Sequence, residues 1–294
     1  MFNASPIERM TMLQKAMSGE LCRKAFRLLL CCSLLVASLS SPSQNLIPNP
    51  SFELRDTCPY TFGFQEGDQP LYWRTWLNSP DYFNACAGDL GGLDTLLDVP
   101  QNGLTFQYAF DGDAYVGMYC FYPTDYYREY IGVQMNTPLV VGQTYHVSFR
   151  ANLAANGSYF YNSGACNNLG ALFTMASNAW TGITGPDFPF RNHAQVYSQS
   201  VITDTLEWTL VSGSFVADSA YQYLVIGNFF DHVHTDSLAT PGMAIVAYYL
   251  IDAVCVSAHE GCEIEGIDET GGASDAVLLL ADPSGATGSA MAWA

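Results

Sequence analysis

Apolar and polar side chains alternate in short stretches along most of the chain between residues 44 and 257. The clearest stretch is TYHVSFRANL (144–153), where apolar positions from Tyr145 to Ala151 alternate with polar positions from His146 to Asn152. A period of two is typical of an antiparallel strand with one side buried and the other exposed. Helical periodicity is scarce. The pattern predicts strands at 44–54, 113–121, 128–137, 143–153, 169–176, 194–203, 207–217, 221–230 and 246–257.

Many short strands separated by Gly, Asn and Asp predict an all-β fold, a sandwich of antiparallel strands. Residues 56–112 interrupt the pattern, because this region is aromatic and rich in Gly and Pro and shows little periodicity. Loops of this length inside a compact domain are uncommon, and they usually carry function or are held by cross-links. We therefore interpret residues 56–112 as a functional or cross-linked loop region.

One predicted strand, AYYLIDAVCV (247–256), contains a carboxylate in an otherwise apolar and aromatic stretch. In a regular strand, Asp252 shares its face with Leu250 and Val254. Because burying an unpaired carboxylate is costly, the sequence predicts a partner for Asp252. That partner is a bound cation or, as the alternative, backbone amides or a buried arginine such as Arg150.

The two ends of the chain differ from its middle. Arg23, Lys24 and Arg27 precede the apolar run LLLCCSLLVASLS (28–40), an order typical of a secretory signal peptide. The run is shorter than the ~20 residues that span a membrane. We predict a signal peptide at 1–40, cleaved after Ser38 or Ser40, and a secreted or cell-surface protein with no membrane span. Residues 263–294, rich in Gly, Ala and Ser, predict a flexible tail outside a domain at 44–262.

The charge of the predicted mature chain is strongly negative. Residues 1–40 hold five of the 10 basic residues and two of the 28 acidic ones, so the remainder carries five arginines, no lysine and 26 acids, a formal charge of −21. Such a charge disfavours nucleic acid and anionic membrane surfaces. We therefore predict no nucleic-acid partner. The first interpretation of the charge is that it keeps an exported protein soluble, and the alternative is that the protein binds cations or neutral ligands.

Six of the nine cysteines lie beyond residue 40. An even number in an exported chain predicts disulfides, although sequence alone leaves the pairing open. Cys255 and Cys262 form the easiest local pair, and a Cys58–Cys86 bond would pin the long loop region. No CxxC motif occurs, which argues against a zinc or redox centre.

Three segments together resemble the carbohydrate-binding jelly rolls of the galactose-binding-like superfamily, close to modules of families 4, 9 and 22. They are NLIPNPSFE (45–53), LVVGQTYHVSFRANL (139–153) and YYLIDAVCV (248–256). SPDYFNAC (79–86), YREYI (127–131) and YLVIGNFF (223–230) resemble more specifically a group of exported bacterial surface proteins with this jelly roll. The tail, GIDE…DPSG (266–285), resembles the start of a type IX secretion sorting domain. The resemblance implies an antiparallel two-sheet jelly-roll β-sandwich that binds carbohydrate without catalysis.

The resemblance also implies a structural calcium where the first and last strands meet. Its ligands would be Glu53 and Asp252, together with Asp111 and Asp113 of the FDGD turn. Ca²⁺ takes six to eight oxygen ligands from carboxylates and carbonyls, and it would neutralise Asp252. The last strand of the family ends in Asp-Asp-Val, whereas this chain has Ala253 in place of the second aspartate.

Carbohydrate binding would use flat aromatic rings, which stack on the apolar face of a pyranose while polar groups bind its hydroxyls. The irregular stretches supply such rings with polar neighbours, whereas Trp208 lies in a regular strand and is predicted to be core. We predict ligand contacts by Trp73, Trp76, Tyr126, Tyr127, Arg128 and Trp180.

Two other functions compete with a carbohydrate-binding module. The same scaffold could serve as a surface adhesion or assembly module that contacts other surface proteins. A glycoside hydrolase would need two carboxylates flanking the scissile bond, for which Glu129 and Asp125 are the candidates.

Overall fold

The computed structural model describes residues 45–64, 69–89, 92–123, 126–159, 162–177, 191–239 and 245–261. The predicted signal peptide and tail, with Asp125, Trp180 and Cys262, lie outside the described residues. The described part contains twelve β-strands: β1 Trp73–Leu77, β2 Asp81–Asn84, β3 Ala114–Phe121, β4 Tyr130–Gln134, β5 Thr144–Leu153, β6 Gly164–Cys166, β7 Leu169–Thr174, β8 Val196–Tyr197, β9 Thr209–Val216, β10 Tyr223–Asn228, β11 Ser237–Ala239 and β12 Ala247–Ser257. Two 3-10 helices, Ala85–Asp89 and Gly92–Leu97, follow β2.

The strands form two five-stranded sheets, both antiparallel. The first sheet has the order β1-β4-β10-β7-β8 and the second has the order β2-β3-β12-β5-β9, while β6 and β11 form a separate pair. Most neighbours within a sheet are distant in sequence, because the chain crosses repeatedly from one sheet to the other. This architecture confirms the predicted antiparallel two-sheet β-sandwich. None of the helices in the described residues is long and apolar enough to cross a membrane.

The main core lies between the two sheets. Alternate residues of the central strands point into it, including Phe149 of β5, Ile226 of β10 and Tyr249 and Ile251 of β12. Each sheet also carries an apolar cluster on its outer face, built around Trp76 and Tyr130 on the first sheet and around other aromatic residues on the second. Both faces of the second sheet are buried at β12, which explains why this strand is apolar at nearly every position.

The predicted strand at 44–54 is wrong, although this segment does lie beside β12. The Leu46 amide donates to the Val256 carbonyl at 2.8 Å, and the Val254 amide donates to Pro50 at 2.9 Å. Prolines remove donors from the segment, and Asn49 and Phe52 have positive φ angles, so the chain turns instead of forming a ladder.

Strand prediction succeeded best where alternation was regular. Strands β3, β4, β5, β7, β9, β10 and β12 fall within predicted ranges, whereas the range 194–203 contains only the two-residue strand β8. The region 56–112, which the sequence predicts to be loop, contains β1 and β2. Both are five residues or shorter, so alternation had little length in which to appear.

Strand β12 departs from regular alternation after Asp252. The register with β5 shifts between Asp252 and Cys255, and Ala253 has a φ of 51°. As a result, Leu250 packs on the outer face of the second sheet while Val254 packs between the sheets. The expectation that Asp252 shares a face with Leu250 therefore holds, but the expectation that Val254 lies on that face is wrong, because the bulge after Asp252 reverses the alternation.

Candidate ligand-binding site

The outer face of the second sheet is covered by parts of the long loop region, residues 58–64 on one side and residues 85–89 and 92–109 on the other, which we call the cover. Leu97, Val99 and Leu104 of the cover pack against Tyr115 and Tyr248 of the sheet. The predicted Cys58–Cys86 disulfide is present, with Cα atoms 5.8 Å apart, and it joins the two parts. The partner that we predicted for Cys255, Cys262, lies outside the described residues, so that pairing stays a prediction.

A cavity of about 480 Å³ opens between the cover and the sheet. We call it the acid–tyrosine cavity after its polar lining, which consists of Ser79, Asp81, Tyr119, Tyr122, Tyr127 and Glu129. Apolar side chains, among them Phe62 and Leu104 of the cover, complete the wall. Its volume falls in the range of roughly 300–1,000 Å³ that is usual for small-molecule sites.

Asp81 begins strand β2 and is 5% exposed. Its Oδ1 accepts from the Gly63 amide at 2.7 Å, and its Oδ2 accepts from the Tyr248 hydroxyl at 2.6 Å. Tyr248 can reach across β3 because Gly117 has no side chain, and a Cβ there would overlap the tyrosine ring. Strands β2, β3 and β12 together therefore position this carboxyl.

Glu129 precedes strand β4 and is 1% exposed. Its Oε1 accepts from the Tyr127 hydroxyl at 2.9 Å and from Ser79 Oγ at 3.3 Å. Its Oε2 accepts from the Tyr119 amide at 2.8 Å. Three of the residues that line the cavity thus hold this second carboxyl in place.

The two carboxyls affect each other electrostatically. Burial raises the pKa of Asp81 to about 6, against hydrogen bonds from Tyr248 and Gly63 that lower it. Burial also raises the pKa of Glu129 well above its ordinary value, and the nearby charge of Asp81 adds to the effect. Among the residues that the structure describes, no ion pair involves either carboxyl. The cavity therefore contains two acids that resist simultaneous ionisation.

Three tyrosine rings form a corner beside the two acids. The Tyr119 ring meets that of Tyr127 edge to face at 5.9 Å and that of Tyr248 at 4.8 Å. Burial, followed by the charges of Glu129 and Asp81, raises the pKa of Tyr119 to about 12, so its hydroxyl stays protonated at neutral pH. The cavity thus offers aromatic surface, hydroxyl groups and carboxyl groups together.

The predicted exposure of Trp73 and Trp76 is wrong. Both are 1% exposed, because residues 73–77 form strand β1 rather than a loop. The Trp73 ring packs against Phe52 in the main core, and its Nε1 donates to the Asn49 carbonyl at 2.9 Å. Trp76 lies against Gly132 on the first sheet. A sugar cannot stack on either ring in this structure.

The other residues that were predicted to contact a ligand do not lie together in one site. Tyr127 lines the acid–tyrosine cavity, whereas its neighbour Tyr126 is 40% exposed and stacks on His232 with ring centroids 4.4 Å apart. Arg128 is buried, and its guanidinium lies 4.5 Å from the centre of the Phe121 ring. Arg128 therefore does not contact a ligand in this cavity. Trp180 lies outside the described residues.

Asp252 is held by backbone amides, which is the alternative to a cation. Its Oδ2 accepts from the amides of Phe110 at 2.8 Å and Asp111 at 3.1 Å, and its Oδ1 accepts from Ala253 at 2.6 Å. Burial raises the pKa of Asp252, while these hydrogen bonds lower it. Arg150 instead lies over the Phe110 ring at 4.4 Å.

The other three predicted calcium ligands lie around the FDGD turn. Glu53 Oε1 accepts from the Asp113 amide at 2.9 Å, and Asp111 Oδ2 accepts from the Ser51 hydroxyl at 2.6 Å. Burial raises the pKa of Glu53, and the charges of Asp113 and Asp111 add to this. Within the described ranges, no three His, Cys, Asp or Glu side chains form a metal-binding group. The calcium therefore stays a prediction.

Sequence reasoning missed Asp81 as a partner of Glu129. It paired Glu129 with Asp125, which lies outside the described residues, because the two are close in sequence. The available signal was an acid within an aromatic strand, since DYFN (81–84) repeats the pattern that singled out Asp252 in AYYLIDAVCV. Only the pairing of β2 with β3 brings Asp81 to the cavity.

No family model and no curated protein matches the chain. Similar solved structures include a cyclase from Fischerella sp. TAU in complex with 4-(1H-indol-3-yl)butan-2-one, at 10% identity and a TM-score of 0.41, covering 72% of this chain and 94% of that one. A second is the family 22 carbohydrate-binding and catalytic module pair of Clostridium thermocellum xylanase 10B with xylohexaose, at 11% identity and a TM-score of 0.36, covering 73% of this chain and 29% of that one.

A third similar structure is a family 4 carbohydrate-binding module, at 15% identity and a TM-score of 0.32, covering 72% of this chain and 98% of the module. The neighbours thus include carbohydrate-binding modules, the class that the sequence resembles. At these identities the likeness concerns the fold alone.

Proposed function

We propose that this protein binds carbohydrate in the acid–tyrosine cavity and does so without catalysis. The observation that carries the proposal is the convergence of Tyr119, Tyr122 and Tyr127 with two carboxyls in one cavity of about 480 Å³. Tyrosine rings provide flat apolar surface for a pyranose, and the hydroxyl and carboxyl groups provide hydrogen bonds to its hydroxyls. The cover would enclose the sugar against the sheet.

A binding titration tests whether carbohydrate binds in the acid–tyrosine cavity rather than at the adjacent surface around Tyr126. Calorimetry with xylose, glucose and N-acetylglucosamine oligomers should find one class that binds, and Tyr127→Ala should weaken binding at least about tenfold, as the loss of a stacked ring predicts. Tyr126→Ala is the matched control, because Tyr126 is adjacent in sequence but stacks on His232 outside the cavity. Equal losses in the two variants, or binding unaffected by both, would place the ligand elsewhere.

The two carboxyls also support a second candidate, a glycoside hydrolase. In such enzymes a protonated carboxyl donates to the leaving oxygen while an ionised one acts as base or nucleophile. Burial and like charge favour unequal protonation of Asp81 and Glu129. Mass spectrometry of the oligomers after long incubation tests this function. Shortened products that disappear with Glu129→Gln would replace binding by hydrolysis, and intact oligomers would support the binding module.

The predicted calcium is a separate proposal, centred on Glu53 and Asp111. The mutual repulsion of the carboxyls around the FDGD turn supports it, since a divalent cation would relieve that repulsion. Adding EDTA should then lower the melting temperature of the wild type and leave Glu53→Gln unaffected. Asp252→Asn should keep the response, because amides already occupy the oxygens of Asp252. A melting curve that EDTA does not move would rule the calcium out.

The predicted secretion and surface location are likewise proposals. The sequence of residues 1–40 supports them. Detection of the chain in the exported fraction, with its new N-terminus at residue 39 or 41, would confirm the predicted cleavage. A chain that retains residues 1–40 in its host would contradict it.

A further inference from the structure

We infer that the acid–tyrosine cavity selects a ligand that carries a cationic amino group beside an apolar ring face, the chemistry of a glucosamine unit. This inference rests on the proposed function, because it names the class of sugar that the same cavity would take.

The first step concerns charge. Asp81 and Glu129 are 5% and 1% exposed, and in the described residues no basic side chain forms an ion pair with either or lines the cavity. Two buried carboxyls without a cation are an unfavourable arrangement, because buried charges are normally paired. An ammonium group entering the cavity would supply the missing positive charge.

The second step concerns hydrogen-bond capacity. The structure gives Asp81 two donors and Glu129 three. A carboxylate has about four acceptor positions, so about three remain open when both acids are ionised, the state that a bound ammonium favours, and an ammonium group carries three donors. The cavity can therefore accept an ammonium without displacing the hydrogen bonds that hold the acids.

The third step concerns the aromatic wall. The Tyr119 and Tyr127 rings stand nearly perpendicular, at 74°, next to Glu129. A cation is attracted to the face of an aromatic ring, and cavities that combine such rings with acids recognise ammonium groups. The apolar face of the same sugar could stack on a ring while its amino group reaches the acids.

Arg128 and Arg150 do not compete for these acids. Arg128 packs on Phe121 and Arg150 on Phe110, so both guanidinium groups are engaged on other surfaces. Beyond residue 40 the chain contains no lysine. A cationic ligand therefore meets two acids that no described basic side chain neutralises.

The experiment compares two oligomers that differ in charge but share a backbone. Calorimetry at pH 7 and low salt should show the glucosamine tetramer binding at least about tenfold more tightly than the N-acetylglucosamine tetramer, as a desolvated charge pair predicts. The double variant Asp81→Asn/Glu129→Gln should reduce that preference to less than about twofold. Both substitutions preserve shape, and Tyr127 remains to bind neutral sugar.

Two controls exclude general attraction to an acidic protein. Glu207→Gln removes an exposed acid outside the cavity and should leave the tenfold preference unchanged. In wild type, affinity for benzyltrimethylammonium, whose charge does not titrate, should fall as pH is lowered from 7 to 5, because Asp81 gains a proton near pH 6. The groups that face Asp81 are the Gly63 amide, the Tyr248 hydroxyl and Glu129, together with Tyr119 and Tyr127. This pH measurement needs no variant.

The outcomes separate the inference from the proposed function. Equal binding of the two tetramers, unchanged in the double variant, overturns the cationic ligand and leaves carbohydrate binding standing. Failure of both tetramers and of neutral oligomers overturns carbohydrate binding. In that case, the cation site would still be supported if wild type binds benzyltrimethylammonium and the double variant does not. If wild type does not bind benzyltrimethylammonium either, both the cation site and carbohydrate binding are overturned.

Discussion

Two buried acid sites adjoin the second sheet, and their acids are held in different ways. Asp252 lies at the bulge of β12, where three backbone amides donate to its two oxygens. Asp81 and Glu129 line a cavity, and hydroxyl groups of Tyr248, Tyr127 and Ser79 supply three of their five donors. Both sites raise the pKa of their acids through burial.

The difference indicates which buried acid is scaffold and which is a site. Backbone amides are fixed by the path of the chain, so the amides around Asp252 belong to the fold. Hydroxyl groups rotate, and they can exchange one partner for another when a ligand arrives. A buried carboxyl therefore indicates function only where its donors are exchangeable and an open cavity adjoins it.

Substitution at Asp252 should have the largest effect on stability. Asp252→Ala would leave the amides of Phe110, Asp111 and Ala253 without an acceptor, and we expect a loss of about 3 kcal/mol or more in the free energy of unfolding. Chemical denaturation at pH 7 measures it. Asp81→Asn is the comparison, because it preserves shape and removes a buried charge. We expect it to destabilise the protein by no more than about 1 kcal/mol.

These two variants test directly whether Asp252 is structural and the cavity acids are not. If Asp81→Asn were as destabilising as Asp252→Ala, the cavity acids would be scaffold as well. If Asp252→Ala were nearly neutral, the amides of the bulge would find other acceptors, and the structural role of Asp252 would be lost.

The effect of pH on stability should be smaller than that of Asp252→Ala and larger than that of removing a single hydroxyl group. The pKa of Asp81 rises from about 4 in the unfolded chain to about 6 in the folded protein, so the folded state binds the proton more tightly. Its stabilising contribution is complete below pH 3.8 and is lost as pH rises through about 6. The change is on the order of 3 kcal/mol, and Asp81→Asn should flatten this part of the profile.

The measurement is a series of denaturation curves between pH 4 and 7. Glu207→Gln, at an exposed acid, should keep the wild-type slope. Glu129, Glu53 and Asp252 contribute with the same sign, since burial raises each pKa. A slope in Asp81→Asn identical to that of wild type would contradict the raised pKa.

The sequence was sufficient to predict the sandwich but not its site. Regular alternation predicted strands such as β5 and β12, because a period of two reports directly which side of a sheet is buried. The acid in AYYLIDAVCV also predicted correctly that Asp252 needs a partner. Which partner it has depends on the bulge at Ala253, and the bulge is a feature of three-dimensional pairing.

The site could not be read from the chain because its parts lie far apart in sequence. Asp81 and Tyr248 are 167 residues apart, and they meet only through the order β2-β3-β12. Aromatic content was a poor guide to exposure, since Trp73 and Tyr127 lie in equally irregular stretches and only the second lines the cavity. Trp73 is buried because it lies in strand β1, and this strand is too short for the alternation of apolar and polar residues to be visible in the sequence.

The smallest effect is expected from removing a single exchangeable donor. Tyr127→Phe retains the ring but loses the hydroxyl that donates to Glu129, while Ser79 and the Tyr119 amide still donate to that carboxyl. We expect the free energy of unfolding to change by less than about 1 kcal/mol, and ligand affinity to fall by about threefold or less. Denaturation and calorimetry on the same preparation measure both. A loss as large as that of Asp252→Ala would mean that the Tyr127 hydroxyl is as fixed a donor as a backbone amide, and the distinction between scaffold acid and site acid would no longer hold.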